Sequence, residues 1–133
     1  MYCIVPDNVY IFAMSSTIKR NMMIENFKAQ MRKGILEYCI LLVMDVKPMY
    51  ASDIIDKLKQ SEMIVVEGTL YPLLTRLKNE GLLTYKWEES NQGPPRKYYT
   101  LTEAGRNFLH EMENSWHELV TAVNTIKKNS NEI

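Results

Sequence analysis

Glu67 to Gly105 reads EGTLYPLLTRLKNEGLLTYKWEESNQGPPRKYYTLTEAG, and the change of hydrophobic period within it decides the fold. Leu70, Leu73, Leu74 and Leu77 recur at three- and four-residue steps, which puts them on one face of a helix beginning near Thr69 and leaves Thr69, Arg76 and Lys78 off that face. Pro72 is expected in the first turn, where a missing N–H has no intrahelical partner, and Gly81 ends the helix after Glu80. The pattern then changes to two β-type runs, Leu82–Trp87 and Lys97–Leu101. Between them Asn91, Gln92, Gly93, Pro94 and Pro95 suit a turn and not a strand, so Glu88–Arg96 is expected to form a long hairpin tip. Trp87 and Tyr99 are expected in the hairpin core, since alternate strand positions cover the inner face of a sheet. A helix followed at once by a hairpin whose tip leads into Arg96 and Lys97 is the layout of a winged helix-turn-helix, with the helix as groove reader and the tip as wing.

Upstream, Met49-Tyr50 is a short extended piece, and Ser52 and Asp53 open a helix that turns Ile54, Ile55 and Leu58 inward and ends near Ser61. Met63-Ile64-Val65-Val66 is an apolar linker expected to pack under the reader helix. Farther back, a long helix starts from Ser16 or Thr17 as N-cap and ends before Pro48, with Met23, Phe27, Met31, Ile35, Cys39, Leu42 and Val46 as its apolar stripe. Its first half carries Lys19, Arg20, Lys28, Arg32 and Lys33 against Glu25, a set that suits either phosphate contact or a solvated face. Downstream, Thr102 caps a last helix with Glu103 at its positive end and Lys127 and Lys128 at its negative end. Phe108, Leu109, Met112, Trp116, Leu119, Val120, Val123 and Ile126 make an apolar stripe longer than a small reading head covers, so a second subunit is expected to cover the rest. The expected fold is mainly α with a small β-hairpin: a winged helix-turn-helix whose long N-terminal and C-terminal helices form a dimer. Its parts are an extension at 1–22, either non-native or accessory, a DNA-binding domain at 23–102, a dimerisation helix at 103–128 and a tail at 129–133.

A chain of 133 residues with 46% hydrophobic composition supports one domain with a modest core. Its formal net charge of zero does not advertise nucleic acid, so DNA binding must rest on local charge. Cys3 and Cys39 are the only cysteines, and Cys39 lies in an apolar helical run that suits a buried thiol in a reducing cytosol. Val9–Met14 is apolar but too short to span a membrane and lacks the positive start of a signal peptide, so a soluble cytoplasmic protein is expected. The internal methionines Met14, Met22 and Met23 allow a later start, whereas a genuine extension would pack Tyr10, Ile11 and Phe12 on the dimer. His110, Glu113 and His117 share a helix face, but a solvated face is the simpler reading than a metal site. With no nucleophilic triad, paired catalytic carboxylates or phosphate-cradling glycine loop, neither an enzyme nor a cofactor is expected.

Glu67-Gly68-Thr69-Leu70-Tyr71-Pro72, Arg76-Leu77, Glu80-Gly81-Leu82-Leu83, Trp87, Gly93-Pro94-Pro95-Arg96-Lys97-Tyr98-Tyr99 and Leu101-Thr102-Glu103-Ala104-Gly105 together resemble the PadR family of bacterial transcriptional regulators. The resemblance extends upstream through Met31-Arg32-Lys33-Gly34 and downstream to about Lys127. It implies a dimeric DNA-binding repressor whose C-terminal helix pairs the subunits and whose small-molecule effector, where one exists, loosens the DNA grip. In multidrug-binding members of that family an aromatic at the place of Trp116 lines a pore between subunits and stacks on planar ligands, so the resemblance implies for Trp116 either that role or a place in the dimer core.

The expected DNA contacts are Tyr50, Thr69, Tyr71, Arg76, Lys78, Gly93, Arg96 and Lys97. Arg76 and Lys78 suit base edges or phosphate, the hydroxyls of Tyr50, Thr69 and Tyr71 suit phosphate near helix starts, and Gly93-Pro94-Pro95 would deliver Arg96 and Lys97 to the backbone. Thr69 equally suits helix capping, and the two tyrosines suit partial burial. The effector site is expected around Trp116, Met112, Leu119 and Val120, and the dimer interface along Phe108, Leu109, Met112, Trp116, Leu119, Val123 and Ile126. The expected partners are double-stranded DNA bearing an inverted repeat, a second copy of the chain and a small planar aromatic ligand, with no membrane. The competing reading is a winged-helix module that binds protein and not DNA.

Overall fold

The computed structural model describes residues 15–132. The expectations for Cys3, for the apolar patch Val9–Met14 and for Tyr10, Ile11 and Phe12 fall outside them. Two compact units make up the chain, Met1–Ile35 and Leu36–Ile133. The elements in order are α1 (Ser16–Asp45), β1 (Met49–Tyr50), α2 (Ala51–Gln60), α3 (Glu67–Asn79), β2 (Leu83–Ser90), β3 (Gly93–Leu101) and α4 (Glu103–Ser130).

In the first unit the described residues are one stretch of helix. Ser15, one residue before the expected caps, accepts the Ile18 N–H through its hydroxyl at 3.4 Å. Ile18, Met22, Met23, Ile24, Phe27 and Met31 are all exposed, so this stretch buries none of its large apolar side chains. Lys28 donates to Glu25 at 2.9 Å, and this bond holds the Glu25 carboxyl below its usual range.

The second unit has a single apolar core. Leu36, Ile40, Leu41 and Met44 of α1 meet Ala51, Ile54 and Leu58 of α2, Leu70, Leu74 and Leu77 of α3, and Leu83, Tyr99 and Leu101 of the sheet. The buried α1 residues are not those of the expected stripe: Cys39 is half-buried, while Leu42 and Val46 are exposed. From Ile35 to Met44 the helix is apolar nearly all round, so periodicity alone offers two stripes and packing selects one. The linker is likewise only partly covered, with Val65 buried and Ile64 and Val66 exposed. α2 ends without a glycine because Glu62 takes the left-handed conformation, φ 61°.

α3 begins two residues earlier than expected, after Val66, so Pro72 lies inside the helix and not in its first turn. Its missing N–H leaves the Gly68 carbonyl without a helical donor; both residues are exposed, and water can satisfy that oxygen. Thr69 is therefore a helical residue and not the cap. Gly81, with φ 79°, closes the helix as expected.

The sheet is antiparallel in the order β1-β3-β2. Its strands run almost to the tip, leaving Asn91 and Gln92 as the turn, so the long loop expected from Glu88 to Arg96 is instead mostly strand. Among the described residues β1 covers β3 only at Tyr98 and Tyr99, so beyond them one β3 edge can take a proline, and the irregular ladder on the β2 side takes the other. On that side the ladder is irregular between Glu88 and Ser90, where the single Glu89 of β2 faces two residues of β3, Pro94 and Pro95. This extension carries Trp87 past the core: it is 61% exposed, contrary to the expected burial, whereas Tyr99 is buried as expected.

α4 is fixed at its start. Thr102 accepts the Gly105 N–H at 3.0 Å and donates to the carbonyls of Gly81 and Leu82, at 2.7 and 3.0 Å. Leu109 is buried in the core. Beyond it the stripe emerges, leaving Trp116, Leu119, Val123 and Ile126 exposed.

Candidate nucleic-acid interface

Tyr50 occupies the hinge of the site, ending β1 and forming the N-cap of α2. Asp53 reaches back to accept the Tyr50 backbone N–H at 3.0 Å, which satisfies one donor left over at the helix start. The Tyr50 ring lies 4.9 Å from that of Tyr98, and its hydroxyl donates to Glu88 at 3.3 Å. Burial, then the negative charge of Glu88, raises the Tyr50 pKa, so the phenol stays protonated and keeps its bond to Glu88.

Arg96 is tied to this corner twice. Its guanidinium sits 4.2 Å over the Tyr50 ring, and its Nη2 donates to the Ser52 hydroxyl at 2.6 Å. The wing is thereby anchored to the N-terminus of α2. Lys97, on the opposite face of β3, holds its ammonium 4.5 Å from the Tyr85 ring centre and 5.4 Å from that of Trp87. Lys78 of α3 reaches the same Tyr85 ring at 5.9 Å. Two cations therefore stand where the reader helix meets the wing.

A cleft of about 260 Å³ opens along the uncovered edge of β3, lined by Tyr50, Ala51, Tyr71, Trp87, Pro95, Arg96, Lys97 and Tyr99. Four of the eight expected DNA contacts, Tyr50, Tyr71, Arg96 and Lys97, thus share one cavity wall. That wall carries two cations and no carboxylate, and it includes Ala51, the first residue of α2, a combination suited to a phosphate. The other four are separate. Gly93 starts β3 at the tip, Thr69 lies exposed on α3, and Lys78 reaches the Tyr85 ring, which is not part of the cleft wall. Arg76 forms an ion pair with Glu37 of α1 and lies 4.0 Å from Glu80, while its side chain remains 56% exposed. Glu37 thus orients the guanidinium and leaves part of its five-donor fork free.

Sequence reasoning missed Ser52 and Glu37 as partners of the two arginines and placed Trp87 in the core. Each depends on tertiary neighbours; the signal available for Ser52 was its position at a helix start. At the other end of the second unit, the Trp116 and Tyr38 ring centres lie 6.4 Å apart. Around Trp116, Met112 and Val120 are half-buried and Leu119 is exposed. Burial, then Glu113, raises the Tyr38 pKa. In the expected dimer interface Leu109 is the exception, because its burial in its own core leaves little surface for a partner.

Among the described residues no helix is long and apolar enough to cross a membrane, and no group of three or more potential metal ligands is present. Residues 40–111 match the Transcriptional regulator PadR-like family. The chain is also similar to three solved structures. A PadR-like transcription factor from Bacteroides fragilis is 66% identical, covers 76% of this chain and 98% of its own, and has a TM-score of 0.66. A PadR family transcriptional regulator from Eggerthella lenta is 30% identical over 82% of this chain and 96% of its own, with a TM-score of 0.74. For a PadR-like transcriptional regulator from Bacillus cereus the identity is 39%, the coverage 73% and 95%, and the TM-score 0.64.

Proposed function

This chain belongs to the PadR-like family of transcriptional regulators, non-enzymatic DNA-binding proteins, and from that premise we propose that it acts in the cytoplasm as a homodimeric repressor of an inverted-repeat operator, released by a small planar aromatic effector. The observation that carries the DNA contact is the joining of reader helix and wing around one cationic cleft. Tyr50, Tyr71, Arg96 and Lys97 hold backbone phosphate there, while Thr69, Arg76 and Lys78 on α3 approach the groove and Gly93 lets the tip lie close to the duplex. Phosphate contacts set register, and residues of α3 supply sequence preference.

Two apolar faces support the dimer. Phe108, Trp116, Leu119, Val123 and Ile126 of α4 are exposed, as are Met23, Phe27 and Met31 in the first unit. A two-fold pairing through α4 covers the first set, with Met112 at its margin, and the α1 residues complete it. Two reading heads so related favour half-sites about one helical turn apart, roughly 10 base pairs. For the effector, the support is a partly exposed Trp116 beside Tyr38, midway along the helix that would pair the subunits.

Sedimentation equilibrium at micromolar concentration tests the assembly. The expected species has twice the 15.6 kDa chain mass, and a well-folded monomer removes the basis for an inverted-repeat operator.

A further inference from the structure

Trp87 is the largest exposed side chain in the wing, and the hairpin core that would explain it does not extend that far. Its ring is nevertheless held in place: it meets Tyr85 edge-on, with centres 5.9 Å apart and planes at 84°, and the Lys97 ammonium lies over it. Trp87 and Lys97 are directly paired across β2 and β3. Together with Tyr50, Tyr71 and Arg96 they line the cleft, so the cavity offers aromatic surface and two cations but no carboxylate. Its occupant must combine an anionic oxygen group with a compact apolar body. A deoxyribose and its phosphate in a duplex backbone have this chemistry.

The geometry points to Trp87 as a DNA-contacting residue that packs its ring on a deoxyribose whose phosphate is held by Arg96 and Lys97. The inference rests on the DNA-binding reading and deepens it by separating a non-ionic contact from the ionic ones. The contact is sequence-independent, since sugar and phosphate are the same at every base pair. It also releases no counterion, so it contributes to affinity without contributing to salt dependence.

Trp87 and Trp116 are the only tryptophans, so Trp116→Phe makes the emission of the full-length protein report Trp87 alone. A fluorescein-labelled mixed-sequence duplex of about 30 base pairs at low salt serves as ligand, because phosphate binding needs no operator. The expected result is a change in Trp87 emission that saturates with the anisotropy of the labelled duplex. In the parent background, Trp87→Ala should weaken binding about fivefold with the salt slope unchanged, and Trp87→Phe should recover most of the loss. Saturating anisotropy with unaltered Trp87 emission, or a Trp87→Ala variant that binds like the parent, overturns the Trp87 contact alone. Absence of any anisotropy change overturns both this contact and the DNA-binding reading.

Discussion

Replacing Gly105 by Ala should destabilise the protein, although the same exchange in an exposed helix interior stabilises by about 1 kcal/mol. A Cβ at this position would fall inside van der Waals contact of the Leu82 carbonyl oxygen and 2.7 Å from Leu101 Cδ1. The first obstacle is backbone, so no side-chain rotation relieves it. α4 must move away from the base of the hairpin, at an overpacking cost of about 1–3 kcal/mol. The same Leu82 carbonyl accepts from the Thr102 N–H at 3.1 Å and from its hydroxyl at 3.0 Å, and the movement weakens both bonds. With roughly 1 kcal/mol for those bonds and the helix-propensity gain subtracted, the net loss is about 2 kcal/mol. Gly34→Ala is the internal control, because a Cβ there meets nothing within 4 Å and should add about 0.5–1 kcal/mol. Guanidinium denaturation followed by circular dichroism measures both, at one protein concentration, so that the proposed self-association affects them alike. A Gly105→Ala protein as stable as the parent would refute the close packing of α4 on Leu82.

Arg76→Ala should weaken operator binding and relax preference at one base pair if the guanidinium reads a base. Glu37→Gln should weaken the same operator less, since it frees the guanidinium without removing it; equal operator profiles for both variants and the parent would take Arg76 out of the interface. With Trp87→Phe isolating its signal, Trp116 should be quenched by planar cationic dyes or phenolic acids, and ligand should lower DNA affinity by the same factor by which DNA lowers ligand affinity. Quenching that leaves DNA affinity untouched would make Trp116 a packing residue.

The reader helix was legible because its signals are local. Leu70, Leu74 and Leu77 define its face, Gly81 stops it, and Thr102 marks the next start, each through bonds or conformations spanning a few residues. The hairpin was only half legible. Pro94 and Pro95 predict a loop unless the edge they lie on lacks a partner, and how far β1 extends is a tertiary fact. The apolar abundance of α1 hid the choice between two stripes, which the contacts of Leu36, Ile40 and Met44 decide. At the candidate site, residue types pointed to Arg96 and Lys97, but not that Tyr50 and Ser52 anchor Arg96 or that Trp87 stands beside Lys97. Those juxtapositions join positions far apart in the chain, Arg96 with Tyr50 and Ser52.

DNA affinity measured against salt concentration, for the parent and for Lys97→Ala, tests the central claim most directly. Binding through the cationic cleft predicts that log K falls linearly with log salt, that Lys97→Ala weakens all sequences alike, and that it flattens the slope by about one unit. A folded protein whose DNA affinity and salt slope are unchanged by Lys97→Ala would contradict phosphate binding in this cleft, and one with no salt-dependent DNA affinity at all would favour a winged-helix module that binds protein.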